Sequence, residues 1–427
     1  ERGVSGRIRI HVLPTDRFKT YAVSVFVGRP LSERTVTAIA LAPFVLRRGT
    51  AALPETKQFR ERLDDLYGAG FGFDIYKRGD YQIVQFRMDM IQEEYVRESK
   101  SLLKEAIEFV GQALTRPALE NGVFRAKYVE SEKTNLRKRI EAIINDKIRY
   151  AAERCIEEMC RDEPYRLRPL GNVDDLPSLT PAALHDVYRQ WLNEAPIDLY
   201  VVGNTTLEEV RALAETAFDL PDTQPTVYDR RVEHRTVGDV RRVVERLDVT
   251  QGKLNMGLRA YVTYADDDYP AALLYNGILG GFPHSKLFTN VREKASLAYY
   301  ASSRLDGHKG ILTIQSGIDI ANYEKAVDII RRQLEQMAEG AFSERDMALT
   351  KAMIANHLRE SYDSAFEMIA LDFNNVLSGR ERTAFSLIED IEAVDAEAIR
   401  RVAEKVKLDT IYFLADRKEN RHAGDTV

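Results

Sequence analysis

The chain has few of the residues that build disulfides, metal sites or membrane spans. Its 427 residues include two Cys and seven His. Cys155 and Cys160 cannot cross-link a chain of this length, and two thiols five positions apart are poorly placed to share a metal on one helix face. We therefore expect reduced thiols in a cytoplasmic protein. No run of about 20 apolar residues occurs, which predicts no membrane span.

The sequence also lacks an excess of basic residues. Its 61 Lys and Arg against 67 Asp and Glu give a net charge of −6, which predicts no nucleic-acid partner. The first residues, ERGVSGRIRI, lack the apolar stretch of a signal peptide, in agreement with a cytoplasmic location. Apolar residues make up 44% and charged residues 30%, a globular balance, and the length predicts two to four domains.

The same order of predicted elements occurs twice along the chain. Each half has an alternating strand, an apolar helix, a charged helix leading into a strand, a second strand, three further helices and a closing strand. In the first half these segments are residues 20–27, 36–46, 59–77, 81–90, 94–114, 124–160, 180–192 and 197–204. In the second half they are residues 253–262, 269–279, 288–304, 310–318, 322–340, 342–377, 395–406 and 410–416.

This repeat predicts two homologous α+β domains. Hairpins of alternating strands favour a mixed, mostly antiparallel sheet in each, with helices packed on one face. We place the N-terminal domain at residues 1–220 and the C-terminal domain at 241–427. Residues 221–240 are polar, carry two Pro and are interpreted as the linker.

No metal-binding motif of the His-x-x-Glu-His or His-Glu-x-x-His type occurs in the sequence. The nearest pattern places His357 three positions before Glu360, but Ser361 follows where a second His would be needed. We interpret this segment as a solvated helix face. The other histidines are isolated and are assigned no site.

One segment carries a specific resemblance to a known family. LGGFPHSKLFTNVREKASLAYYASS, residues 279–303, resembles the M16 peptidases, which include pitrilysins, insulin-degrading enzymes and mitochondrial processing peptidases. The resemblance covers nearly the whole chain and is closest to short bacterial two-domain members, among them those found as pairs of one intact and one degenerate chain. The matching positions are Gly280, Gly281, Ser285, Lys286, Leu287, Phe288, Arg292, Glu293, Leu297, Ala298 and Tyr299.

The resemblance implies a zinc site that this chain has lost. Active members carry His-x-x-Glu-His on the first apolar helix, with the two His as ligands and the Glu as general base. Alignment on Arg48-Gly49-Thr50 places that motif at residues 40–44, where Ala40, Pro43 and Phe44 replace its functional side chains. The third ligand, a downstream Glu, aligns with Arg139, which has no lone pair to offer a metal. We therefore expect no metal and no cofactor in this chain, with zinc only in an intact partner.

The resemblance also implies two residues that contact substrate. In the family an Arg and a Tyr seven positions apart contact the peptide backbone and the developing oxyanion, and here they correspond to Arg292 and Tyr299. The alternative is that both residues are only structural: Arg292 pairs with a nearby carboxylate and Tyr299 begins a buried strand. Family members also add the substrate as a strand to a sheet edge. Residues 71–77 or 81–90 are the candidates for that edge.

Three functions remain open from the sequence. The first is a non-catalytic chain that pairs with an intact zinc-bearing paralogue, forming a heterodimeric endopeptidase for unfolded peptides to which it supplies Arg292 and Tyr299. The second is a scaffold that holds a peptide or protein without hydrolysing it. The third is an active zinc endopeptidase with unconventional ligands. In isolation we expect a homodimer or a weakly associating monomer, because the surface that meets a paralogue also tends to meet a copy of itself.

Overall fold

The computed structural model describes residues 1–417 and contains strands and helices in both halves of the chain. The strands are β1 (Arg2–Ser5), β2 (Ile8–Pro14), β3 (Thr20–Pro30), β4 (Gly70–Arg78), β5 (Tyr81–Ile91), β6 (Leu119–Glu120), β7 (Val123–Phe124), β8 (Ile197–Gly203), β9 (Arg241–Leu247), β10 (Gly252–Arg259), β11 (Ala298–Asp306), β12 (Ile311–Ile318) and β13 (Lys407–Asp416). The helices are α1 (Val36–Leu46), α2 (Thr56–Asp65), α3 (Glu93–Val96), α4 (Leu102–Thr115), α5 (Ala126–Ala142), α6 (Lys147–Met159), α7 (Pro181–Glu194), α8 (Leu207–Ala217), α9 (Tyr269–Asn276), α10 (Tyr323–Ala338), α11 (Glu344–Glu360), α12 (Ala365–Ser378), α13 (Ala384–Glu392) and α14 (Ala396–Lys405).

Each half builds one mixed, mostly antiparallel sheet. The first has the strand order β1-β2-β8-β3-β5-β4, and within residues 1–417 its one parallel pair is β2 with β8. The second has the order β11-β12-β10-β13-β9, where β13 and β9 form the parallel pair. The run β4-β5-β3-β8 of the first sheet corresponds to the run β11-β12-β10-β13 of the second. The expected pair of homologous α+β domains is therefore confirmed.

The central strands of the first sheet and helix α1 form the hydrophobic core of the first unit. β8, with the sequence IDLYVVG, is buried at every position, as expected for a central strand rich in β-branched residues. α1 is also buried at every position, which explains why it is apolar on all sides. The helix continues through Pro43 although proline has no amide hydrogen to donate to the preceding turn.

Three predicted helices are interrupted in the structure. The segment 94–114 divides into α3 and α4, where the Ser101 side chain accepts a hydrogen bond from the Lys104 amide and starts the second helix. The segment 124–160 divides into α5 and α6, and Asp146 caps the amide of Arg149. The segment 342–377 divides into α11 and α12 around a 3₁₀ turn at Ser361–Asp363. In the first two cases a polar residue that can cap a new helix competes with continuation of the old one.

The contacts between residues divide the chain into two compact units. The first contains Glu1–Ala142, Leu167–Asp229 and Ser364–Ala370, and the second contains Ile143–Arg166, Arg230–Asp363 and residues 371–417. These units differ from the predicted divisions at 1–220, 221–240 and 241–427, since residues 143–166 of the first half belong to the second unit. Residues 418–427 of the predicted C-terminal domain lie outside the described part.

Helix α6 explains this difference. Its apolar face, with Ala151 and Cys155, packs against Tyr412 and Leu414 of β13, so it completes the core of the second sheet. Cys155 and Cys160 are both buried, and neither forms a disulfide. Across residues 1–417 no helix is long and apolar enough to cross a membrane.

Candidate functional site

The positions aligned with the lost zinc motif lie inside the core of the first unit. Ala40, Pro43 and Phe44 are buried in α1. The Phe44 ring meets the Phe73 ring of β4 edge-on, with ring centroids 4.8 Å apart. Apolar packing therefore fills the space where the motif would place metal ligands.

Arg139 lies beside this aromatic pair. Its guanidinium carbon is 5.1 Å from the centre of the Phe44 ring, so the structure brings α5 and α1 together at the residues that the alignment matches with metal ligands. A guanidinium carries a permanent positive charge and only donors, which is unsuitable for a divalent cation. In the described part of the chain, no group of three or more His, Cys, Asp or Glu side chains is arranged to hold a metal.

Arg47, which follows directly after α1, was not singled out from the sequence. Arg47 places its guanidinium carbon 4.8 Å from the Phe73 ring centre and 5.9 Å from that of Phe44. Burial lowers the pKa of Arg47 from its ordinary value, and the positive charges of Arg139 and Arg60 lower it further while Glu132 opposes them. The doublet Arg47-Arg48 directly after an all-apolar helix was the available signal.

Strand β4 is an edge of the first sheet. It pairs along its length with β5 and ends the strand order on that side, whereas β5 is interior. Of the two predicted edge candidates, the segment 71–77 therefore lies in the edge strand and the segment 81–90 does not. Phe71, Phe73 and Ile75 of β4 pack against the core, which holds the strand in place. The strand contains no Pro that would prevent pairing with an added peptide.

Arg292 lies on a π-helical segment, Leu287–Lys294, whose buried residues are Leu287 and Val291. Arg292 itself is exposed, and its guanidinium carbon lies 4.6 Å from the centre of the Phe288 ring. Within residues 1–417 Arg292 makes no ion pair with a carboxylate, so the alternative that it only forms a local salt bridge is not supported by the described structure. Asn290 on the same segment donates to Gln333 of α10 over 2.7 Å, which fixes the segment against the second unit's helix layer.

Tyr299 lies where a β-bulge interrupts the pairing of β11 with β12. The register shifts between Ala298 and Tyr300, and the Tyr299 side chain is 62% exposed. A bulge turns a side chain away from the regular alternation, and β11 is an edge strand of the second sheet. Tyr299 is therefore an exposed residue of β11, not the first residue of a buried strand as the structural alternative required.

The π-helical segment Gly277–Gly281 that precedes these residues leaves no room for a larger side chain at Gly280. A Cβ on Gly280 would lie 2.6 Å from the backbone nitrogen of Ser303 in β11. The close approach of this π-helical segment to β11 supports the geometry of the Arg292 and Tyr299 segment and accounts for glycine at this position of the motif.

Comparison with known proteins identifies relatives over almost the full chain. Residues 178–354 match the family model described as the peptidase M16 inactive domain. A Bacillus subtilis (strain 168) protein named probable inactive metalloprotease YmfF is 38% identical over 420 residues, covering 96% of both chains.

Two solved structures are similar in fold over 97% of this chain. A conserved protein from Enterococcus faecalis V583 has a TM-score of 0.88 with 32% identity, and 97% of that chain is covered. A peptidase M16 inactive domain from Pseudomonas fluorescens has a TM-score of 0.79 with 14% identity, and 98% of it is covered. The relative that is 38% identical over almost the whole chain, together with the family match, shows that the chain belongs to the M16 metallopeptidase family.

Proposed function

We propose that this chain pairs with an intact, zinc-bearing M16 paralogue and supplies Arg292 and Tyr299 to a shared site that cleaves unfolded peptides. The partner supplies zinc and the general base. In this chain the guanidinium of Arg292 holds peptide carbonyl groups, and the Tyr299 hydroxyl donates a hydrogen bond to the oxyanion that develops during attack.

The exposure of both side chains on a well-supported segment carries the proposal. Arg292 has no carboxylate partner within residues 1–417, and Tyr299 projects at a bulge with 62% of its surface exposed. Neither residue is needed to fill a core. Exposed groups with this donor chemistry are available to a peptide that a partner chain presents.

The test measures zinc content and peptidase activity of the purified chain, of an intact paralogue from the same organism, and of their mixture. We expect no activity from this chain alone and a higher kcat for the mixture than for the paralogue. Arg292→Ala and Tyr299→Phe should each lower the kcat of the mixture, by about 10²-fold for loss of an oxyanion donor. Arg401→Ala, an exposed arginine of α14, is the matched control and should leave kcat unchanged.

A mixture whose activity survives Arg292→Ala and Tyr299→Phe would rule out complementation. Stoichiometric zinc in the purified chain, together with activity in the absence of a partner, would instead favour an unconventional active site.

The second candidate function is peptide binding without hydrolysis. The observation that favours it is β4, an edge strand of the first unit that pairs on one side with β5. A peptide added to β4 would gain main-chain hydrogen bonds without any metal. The two candidates differ in one result, because a scaffold binds unfolded peptides but causes no turnover with any paralogue.

A further inference from the structure

Four arginines lie near one another beside the end of α1, and we name Arg47, Arg48, Arg60 and Arg139 the arginine cluster. Arg47 and Arg139 both lie over the Phe44 ring, at 5.9 and 5.1 Å from its centre. Arg48 and Arg60 both line an adjoining hollow of about 680 Å³. All four are in the first unit.

The cluster has more positive charge than its surroundings neutralise. Glu132 is buried, and its carboxylate contacts Arg48 at 3.6 Å and also accepts a hydrogen bond from Asn135 at 3.2 Å. Within residues 1–417 the guanidinium groups of Arg47, Arg60 and Arg139 make no hydrogen bond or ion pair with a side chain. Like charges this close repel one another, so the arrangement is unfavourable unless an anion joins it.

The carboxylates that line the adjoining hollow do not remove this excess. They are Glu55, Glu61 and Asp64, and the same hollow is also lined by Lys57 and Lys127. Glu55 pairs with Lys127 at 3.1 Å and Glu61 with Lys57 at 3.6 Å. Asp64 makes no ion pair within residues 1–417 and offsets one positive charge, which together with Glu132 still leaves the four arginines in excess. The unpaired donors that remain belong to the arginine cluster.

The cluster is also adjacent to the edge strand. Phe73 is part of β4, and Arg47 stacks on its ring at 4.8 Å. A peptide that adds to β4 would therefore pass the cluster with its side chains or its end. The guanidinium carbons of Arg47 and Arg139 lie over aromatic rings, which favours the cations there and leaves their N–H groups able to bind an acceptor.

We propose that the arginine cluster binds a carboxylate of the peptide held at β4, either an Asp or Glu side chain or the free C-terminus. This inference rests on the proposed peptide-binding role and names the class of peptide that the site prefers. Two or more guanidinium groups can bind one carboxylate through charge-assisted hydrogen bonds. The chain would thus have, beside Phe44 and including Arg139 of the ligand-aligned positions, a cationic site that selects acidic peptides in place of a metal that cleaves them.

The test uses the full-length chain and three labelled unfolded peptides of one length in fluorescence anisotropy. The first peptide is neutral with an amidated C-terminus, the second replaces one central residue by Glu, and the third is neutral with a free C-terminal carboxylate. We expect the second or the third to bind at least about 10-fold more tightly than the first, which tells the two carboxylate sources apart. Raising the salt concentration should shrink this difference.

Two variants assign the preference to the cluster. Arg139→Ala should abolish most of the difference between the peptides, and Arg139→Glu should reverse it in favour of a Lys-containing peptide. Arg137→Ala removes the same charge from the same helix but not from the cluster, so it should retain the wild-type preference. Arg139 is exposed, so we expect all three variants to fold.

Equal affinity of the wild-type chain for the three peptides would overturn this inference and leave peptide binding at β4 intact. A preference that survives Arg139→Ala and Arg47→Ala would overturn it as well. Absence of binding to any peptide would exclude both the subsite and the peptide groove. None of these results depends on the paralogue assay, so complementation through Arg292 and Tyr299 fails or succeeds separately.

Discussion

Phe44 is aligned with a metal ligand of the family motif, but in this chain its side chain packs in the core. Its ring is buried, meets Phe73 edge-on and lies beneath the guanidinium of Arg139. Restoring one ligand at this position would remove packing without creating a site. Ala40 and Pro43 would still lack donor atoms, and Arg139 would still repel a cation.

Phe44→His should therefore destabilise the protein without giving it a metal. We expect a loss of roughly 2–4 kcal/mol in the free energy of unfolding, because a large buried aromatic contact is replaced by a smaller polar ring. Urea unfolding measures the loss and elemental analysis measures zinc. Phe385→His is the matched control, since Phe385 is 62% exposed, and it should change stability by less than about 0.5 kcal/mol. Stoichiometric zinc in the Phe44 variant would contradict the prediction.

Glu163 is a buried carboxylate of the second unit whose replacement should lower the free energy of unfolding strongly. It is 1% exposed and accepts hydrogen bonds from Arg259 at 2.7 and 3.1 Å, with Lys309 at 3.2 Å. Glu163→Gln removes the carboxylate that these two buried cations share, although Arg259 keeps its contact with Asp409 at 3.2 Å. We expect a loss of roughly 3–5 kcal/mol in the free energy of unfolding, measured in urea. Glu397→Gln breaks an exposed pair with Arg400 and should leave the urea midpoint almost unchanged.

The lowered pKa of Glu163 makes the free energy of unfolding depend on pH. Burial opposes its ionisation, but the hydrogen bonds from Arg259 and the charge of Lys309 prevail and lower the pKa of Glu163 below its usual value. Its contribution is therefore complete above the unfolded-state pKa of about 4.3 and is lost as the pH falls through the folded-state pKa. The stability gap between wild type and Glu163→Gln should stay constant from pH 7 to 5 and narrow below about 4.3. A gap that widens on acidification would contradict this assignment.

At the scale of elements, helix α4 contacts α8 through Gly111. A Cβ there would lie 2.2 Å from the carbonyl oxygen of Ala217, a backbone atom that cannot move aside as a side chain can. Replacing a mid-helix glycine by alanine ordinarily stabilises a helix by up to about 1 kcal/mol. The helices of the first unit therefore approach one another more closely at this point than any other residue type would allow.

Gly111→Ala should reverse the usual sign and destabilise the protein by roughly 1–3 kcal/mol, because the two helices must separate. Thermal and urea unfolding measure the change. Gly72→Ala in β4 is the control, since a Cβ at Gly72 meets nothing within 4 Å, and its effect should be small. A stabilised Gly111 variant would show that α8 moves to accommodate the methyl group.

The elements themselves were largely predictable because their signals are local. Periodicity gives α1 with its observed bounds, and the caps at Thr180 and Asp395 accept the expected amide hydrogen bonds at 3.1 and 2.8 Å. The motif-aligned positions 40–44 could also be placed by counting back four to eight residues from Arg48, and the structure puts them in α1. The breaks at residues 143–146 and 361–363 were not predicted, because continuous polar helix and two capped helices have similar patterns.

Tertiary features of the site could not be read from the sequence. The bulge at Tyr299 depends on the register between β11 and β12, and the edge position of β4 depends on which strands pair. The arginine cluster needs three separate elements to meet, since Arg60 is in α2, Arg139 is in α5 and Arg47 follows α1. Such juxtapositions follow from long-range packing that a single sequence does not display.

At the scale of the whole molecule, the order of residues along the chain differs from their division into compact units. Residues 143–166 belong to the second unit, although residues 167–229 that follow them belong to the first. The buried thiols Cys155 and Cys160 lie on this segment, and Cys155 packs against strand β13 of the second sheet. A cut after residue 229 therefore separates α6 from the strands that bury it.

We predict that the separate fragments 1–229 and 230–427 are both incomplete. In the intact chain burial raises the pKa of Cys155 and blocks reagent access, so both thiols should react slowly with a thiol-specific disulfide reagent. In fragment 1–229 they should react on the order of 100-fold faster, because α6 has lost its cover. Adding fragment 230–427 should restore protection, and intact chain in urea supplies the fully reactive reference. If the thiols were equally protected in the isolated fragment, α6 would pack within its own half of the chain. Burial of α6 would then not depend on strand β13.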